Sequence, residues 1–249
     1  MYRLLRRIIR IKKPSRGQSF VELALVLPVL LLLLLGLVEV AFFISRYLDV
    51  LDLSREAARF ASVRDPFSTG DLDCSTTDNL NFFYDTSCMM SPSSGSATCP
   101  NLQYCNGFNH YLSMNLNTDD VVISVFTISG NVISDQLPQP NNYWALSNVD
   151  FASNSDLNFT AGTLPDNFKK NCEGNIVRAG PHFTAAQVQS LLLTDAPLNK
   201  GYVAVEVYYC HEQVLGIPIV TDLIPNPIQI RAFTIMPLPA AQPTPTQIP

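Results

Sequence analysis

Residues 23–45 read LALVLPVLLLLLLGLVEVAFFIS, and this stretch decides the architecture. Leu23 to Val38 carries no charge, and Glu39 is followed by the apolar run VAFFI. As a helix the 23 residues extend about 34 Å at about 1.5 Å per residue. A bilayer's hydrocarbon core is about 30 Å thick, so the segment is long enough to span it. Five consecutive leucines at 31–35, no polar side and a basic flank set it apart from a buried core helix of a soluble protein. Pro28 lacks an N–H and should kink or locally open the helix. Gly36 offers flexibility or close helix contact, but no G-x-x-x-G motif accompanies it.

The flanks orient the span. Residues 1–17 hold seven basic groups, Arg3, Arg6, Arg7, Arg10, Lys12, Lys13 and Arg16, and no acid. Only Arg46 follows closely on the other side. The positive-inside rule therefore places the N-terminus in the cytoplasm and the rest of the chain outside. The expected location is the cytoplasmic membrane, single-pass. All six cysteines (Cys74, Cys88, Cys99, Cys105, Cys172 and Cys210) lie beyond the span. An even count on an oxidising side reads as disulfides. Their spacings do not choose among the possible pairings, and no C-x₂-C supports a metal site. The net charge of −5 argues against nucleic acid as a partner.

Outside the membrane, residues 45–63 continue as an amphipathic helix, with Tyr47, Leu48, Leu51, Ala58 and Val63 on its apolar side. The run from Gln18 to Val63 is then one helix of 46 residues, about 69 Å long, a stalk that lifts a head off the membrane. Asp65-Pro66 ends it, because proline disfavours helix at the preceding residue. Residues 66–118 are Ser/Thr/Asn/Asp-rich and read as loops tied by disulfides. Strands are expected at 121–126, 132–134, 202–210 and 228–236, with a turn at Ser129-Gly130-Asn131. The last two strands pair through a connection that holds GIPIVTDLIPNP. Phe183 to Leu193 reads as a helix capped by Thr184. The fold class is α+β: a long N-terminal transmembrane helix and stalk, then a small antiparallel-sheet head with large disulfide-tied loops. The expected divisions are a basic leader at 1–17, helix and stalk at 18–64, the head at 65–236 and a Pro-rich, polyproline-like tail at 237–249.

The leader is not an ordinary secretory signal. Its apolar run is too long and no small-residue cleavage pattern closes it. Before that run stands Arg16-Gly17-Gln18-Ser19-Phe20-Val21-Glu22. A basic leader ending in glycine, with a lone glutamate five residues later, resembles a type IV prepilin cleavage site. More narrowly, residues 14–64 resemble the TadE-like family of pseudopilins from tight-adherence pilus systems. Gly17, Glu22, Leu27-Pro28, Gly36 and Ser54-Arg55-Glu56-Ala57-Ala58-Arg59 carry the likeness. Leu23 departs from it, since many members have an aromatic residue after the glutamate.

The resemblance implies cutting between Gly17 and Gln18 by a prepilin peptidase. It also implies pairing of Glu22 with the N-terminal ammonium of a neighbouring subunit. Taken alone, Glu22 reads equally as a snorkelling acid at the membrane edge. Glu39, by contrast, reads as an acid solvated at the outer interface. The implied partners are the membrane, the peptidase, other pilins and the pilus assembly platform. The implied role is structural, in pilus assembly or initiation, and the implied location extends to a cell-surface pilus.

The chain offers no nucleophile elbow, Walker loop or H-E-x-x-H. No catalytic residue, metal or cofactor is expected. A second reading remains: an uncleaved, signal-anchored binding module. Its head, with 16 acids and 5 bases after Arg64, would suit a basic partner or cations.

Overall fold

The computed structural model describes residues 16–68, 70, 81–91, 112, 114–115, 118–139, 142–146, 169–173, 176–177, 181–192, 199–216, 221 and 224–243. Helix α1 (Arg16–Ala61) is a single helix of 46 residues that runs unbroken through Pro28. Helix α2 (Phe82–Cys88) is short and begins at Asn81, whose side chain accepts the N–H of Phe83. Strands β1 (Asp120–Ser129), β2 (Val132–Leu137) and β3 (Trp144–Ala145) follow. Two short strands, β4 (Lys169–Lys170) and β5 (Ile176–Val177), make a separate ribbon. Then come α3 (Ala185–Leu191), β6 (Lys200–His211), β7 (Ile228–Pro237) and a 3-10 turn at Pro239–Ala241.

The main sheet has five strands, in the order β2-β1-β6-β7 with β3 also on β1, and its pairings are antiparallel. The α+β expectation is met. The β-branched and aromatic runs that announce β1, β6 and β7 form its centre. The β1–β2 turn places Gly130 at φ +58° and Asn131 at φ +68°. Two consecutive left-handed residues match the right-handed twist of a tight hairpin, which is why Gly-Asn stands there.

Both faces of the sheet are covered. Val121, Ile123, Val125, Val203, Val205 and Val207 share one core with Val50, Leu53 and Ala57 of α1. The alternate residues Phe126 and Ala204 pack with Phe183 and Val188 on the opposite face. The period of two in β1 and β6 therefore divides the strands between two apolar layers, so both strands are buried almost throughout.

The upper half of α1 is part of the head rather than a free stalk. Its buried positions are Val50, Leu53, Ser54, Ala57, Ala58 and Ala61, a helical i, i+3, i+4 pattern. The expected apolar side is only partly right. Ala58 is buried and Leu51 half-buried, whereas Tyr47, Leu48 and Val63 are exposed. Close packing on a sheet favours small side chains, so beyond Val50 and Leu53 the seam is written in serine and alanine. Ser54 Oγ donates to the Leu51 carbonyl (2.8 Å) and meets Thr234 Oγ1 of β7 (3.0 Å). Beyond the seam, Arg64 pairs with Asp85 of α2 (3.0 Å) and lies over the Phe60 ring.

The helix expected at 183–193 is shorter, and its Thr184 forms a capping box with Gln187. The first tail residues are not free. Leu238 and Ala241 are buried, and Gly201 lies so close to both that a Cβ there would collide with their backbone. Leu238 also donates its N–H to the Gly201 carbonyl.

Candidate functional site

The site lies along α1, which divides into two halves. From Ser19 to Val38 every residue is exposed except the half-exposed Leu32 and Gly36. These 20 residues rise about 30 Å, the thickness of a hydrocarbon core. The helix is long and apolar enough to cross a membrane, and its most apolar stretch is buried nowhere in the protein. A soluble protein would not leave such a surface in water, so the bare half fits a single-pass membrane anchor.

Gly17 and Gln18 lie in the first turn of α1. A cut between them would leave 44 of the helix's 46 residues in place. It would fall where the backbone N–H groups have no intrahelical acceptor. Glu22 is exposed, one turn further in. Of the six cysteines, Cys172 and Cys210 are joined in a disulfide, and Cys88 is disulfide-bonded. Cys74, Cys99 and Cys105 lie outside the described residues.

Glu39 stands where the bare half meets the head, and here the expectation of a solvated interfacial acid fails. Its side chain is only 8% exposed. Its carboxylate oxygens accept the N–H groups of Val214 (2.6 Å) and Leu215 (2.9 Å) in the β6–β7 connection. Charge-assisted bonds of this kind are among the stronger hydrogen bonds in proteins. They offset the cost of placing a carboxylate in an apolar helix. No sequence pattern announces them, because acceptor and donors lie 175 and 176 residues apart.

Above Glu39 the head opens a groove of about 280 Å³ lined by Arg46, Asp119, Cys210, His211, Glu212 and Val214, among others. His211 packs edge-on to Phe43, and burial lowers its imidazole pKa against the pull of Glu39. Asp119 accepts the N–H groups of Asn115 (2.7 Å) and Cys210 (2.8 Å) and so braces the disulfide end of β6. Burial pushes its carboxyl up to about 6, against these bonds and that of Thr118.

The folded state therefore holds a proton on Asp119 that the unfolded chain, with an ordinary carboxyl near 3.8, has already released. Stability from this group is greatest below about pH 4 and falls as the pH rises towards about 6. Denaturant midpoints across that window should carry this slope in the parent chain and lose it in Asp119→Asn.

Comparison with known proteins adds one finding to this geometry. No curated protein and no solved structure matches the chain. Residues 17–59 match the family model described as TadE-like protein. The match begins at Gly17, crosses the bare half and Glu39, and ends at Arg59, inside the Val50–Ala61 seam. The family pattern thus covers both the anchor and the docking face that ties it to the head. It implies association with a membrane and with pilus components. Over residues 17–59 the chain is similar to the TadE-like family, a likeness that suggests a pilin-like protein associated with tight-adherence pili.

Proposed function

We propose that the protein is a minor pilin or pseudopilin of a tight-adherence pilus. It is inserted through α1 with residues 1–17 in the cytoplasm and the head outside. A prepilin peptidase cuts between Gly17 and Gln18, removing all seven leader charges and creating an ammonium group on Gln18. Glu22 pairs with that group on a neighbouring subunit as the bare helices pack together. The role is structural, in starting or capping the filament.

The observation that carries this reading is the bare 20-residue half of α1, which begins two residues after Gly17 and contains Glu22. Once out of the bilayer, such a surface must be covered by other helices. The i, i+5 spacing of glycine and glutamate puts the new amine and the carboxylate within the same two turns.

The deciding experiment is intact mass and N-terminal peptide mapping of the membrane-extracted protein, with and without the prepilin peptidase. A chain that starts at Gln18 only when the enzyme is present is the expected result. Retention of residues 1–17 in both cases would sink the reading and favour a signal-anchored binding module. In cells with normal insertion, Glu22→Ala should then lower the yield of assembled pili.

A further inference from the structure

We propose that the head has its own membrane contact: the loop Gln213–Gly216 lies in the outer interface of the bilayer, with Val214 and Leu215 among the lipids and Glu39 as its clamp. The inference rests on the anchor reading of α1, and it replaces a lifted head with one seated on the membrane.

The first argument is the helical rise. With Glu22 at the inner edge, about 30 Å of helix from Leu23 reaches Phe42, so Glu39 lies within about one turn of the outer end of the hydrocarbon. The second is the clamp. Because Glu39 accepts both the Val214 and Leu215 N–H groups, the loop is held at that same level. Backbone donors near hydrocarbon must be satisfied by protein, since water is not there to do it. A carboxylate shielded by the loop meets that need, and it explains an acid inside an otherwise apolar segment.

The third argument is what the loop shows to its surroundings. Val214 is 58% and Leu215 40% exposed, and Ile224 on the returning arm is 44% exposed. The arm is fixed to the loop, because Gln213 donates its N–H to Asn226 Oδ1 (3.0 Å). Gly216 turns the chain at φ +53°, and among the described residues nothing lies within 4 Å of where a Cβ would stand.

The fourth argument is charge. Arg46 follows Glu39 by seven residues on the same side of α1, about 10.5 Å higher, at headgroup depth. It lines the groove beside Val214 and pairs loosely with Asp49 (3.7 Å), and its half-exposed side chain can reach lipid phosphate from that position while its stem stays on apolar surface. Continuity of this patch with the membrane-facing half of α1 is what selects lipid as the occupant.

The test places a tryptophan at each of three exposed positions in the full chain, with one copy per phosphatidylcholine nanodisc. Val214→Trp probes the loop. Leu33→Trp, within the bare half, probes the span itself. Val132→Trp, at the β1–β2 turn on the far end of the sheet, is the solvent control. Emission above the parent's single Trp144 is compared in discs of plain lipid, lipid brominated near the headgroup and lipid brominated at the chain end. Each variant is first checked for an intact Cys172–Cys210 disulfide.

The tryptophan at 214 should lose emission most with lipid brominated near the headgroup. That at 33 should lose it most with chain-end bromine, and that at 132 should be indifferent to both. If position 33 is quenched while position 214 behaves like 132, the seated head is overturned and the anchor stands. If position 33 escapes quenching, the anchor falls and the proposal falls with it. A position 214 that is shielded from both lipid and an added aqueous quencher would mean a contact within the chain itself, and also overturns the proposal.

Discussion

Glu206→Gln is expected to destabilise the head by about 3 kcal/mol, the scale for stranding buried donors around a lost carboxylate. Glu206 sits in the middle of β6, where its side chain is 1% exposed. It faces away from α1, towards the layer that contains Phe183. One carboxylate oxygen accepts the His182 N–H (3.0 Å) and the Tyr208 hydroxyl (2.8 Å), and the other accepts the Phe183 N–H (3.0 Å). Burial, and then the Glu206 charge, push the Tyr208 hydroxyl pKa far up, so it stays a donor. Three donors thus converge on one acidic group.

Glutamine keeps the size but turns one of the two acceptor atoms into a donor. At least one buried N–H or O–H is then left facing another donor. The consequence reaches α3, because His182 and Phe183 lead directly into its Thr184 cap. Phe183 also packs edge-on against Phe233 of β7, so a loosened segment loses apolar contact as well. Denaturant unfolding followed by Trp144, which is 9% exposed and packs edge-on to Tyr84, should show the lower midpoint. Amide exchange at His182 and Phe183 should speed up before the rest of β6 opens. An unchanged midpoint would mean that the carboxylate is not what holds this layer.

That glutamate marks the boundary of what the sequence discloses. The β-branched alternation of YVAVEVYY announces β6, and an acid within it suggests an exposed face. The face is exposed only if nothing covers it, and the cover comes from the His182-Phe183 segment 23 and 24 residues earlier. Glu39 follows the same logic over a longer reach. Length and apolar composition reveal the helix in which it stands. Its partners are backbone N–H groups of a distant connection, and backbone donors leave no trace in residue identity.

The docking face of α1 was hidden for a different reason. Periodicity scoring rewards large apolar residues, whereas a helix set close on a sheet uses Ser54, Ala57, Ala58 and Ala61. Local signals fared better. The Gly130-Asn131 turn, the Thr184 cap and the three long strands depend on nearest-neighbour stereochemistry, and the chain reads as it folds at those places. The leader and Glu22 are legible only through resemblance, because the roles proposed for them involve other proteins.

Opening the Cys172–Cys210 disulfide should cost about 4 kcal/mol, the chain-entropy value for a loop of this length. The bond closes a sequence separation of 38 residues that contains β5, α3 and most of β6. The end it secures carries several duties. Cys210 donates its N–H to Asp119, and the adjoining His211 packs against Phe43 of α1. Both cysteines line the groove above Glu39. Cys172→Ser together with Cys210→Ser should therefore lower the denaturant midpoint of the full chain. It should also loosen the seat of the head on α1, seen as faster amide exchange at Val214 and Leu215. The same bond reports on topology. A head on the exported side meets oxidising conditions and keeps the disulfide. Differential alkylation of the native protein should then find neither thiol free. Free thiols at both positions would put the head in the cytoplasm, reverse the orientation inferred from the leader charges and remove about 4 kcal/mol from the stability available to the native fold.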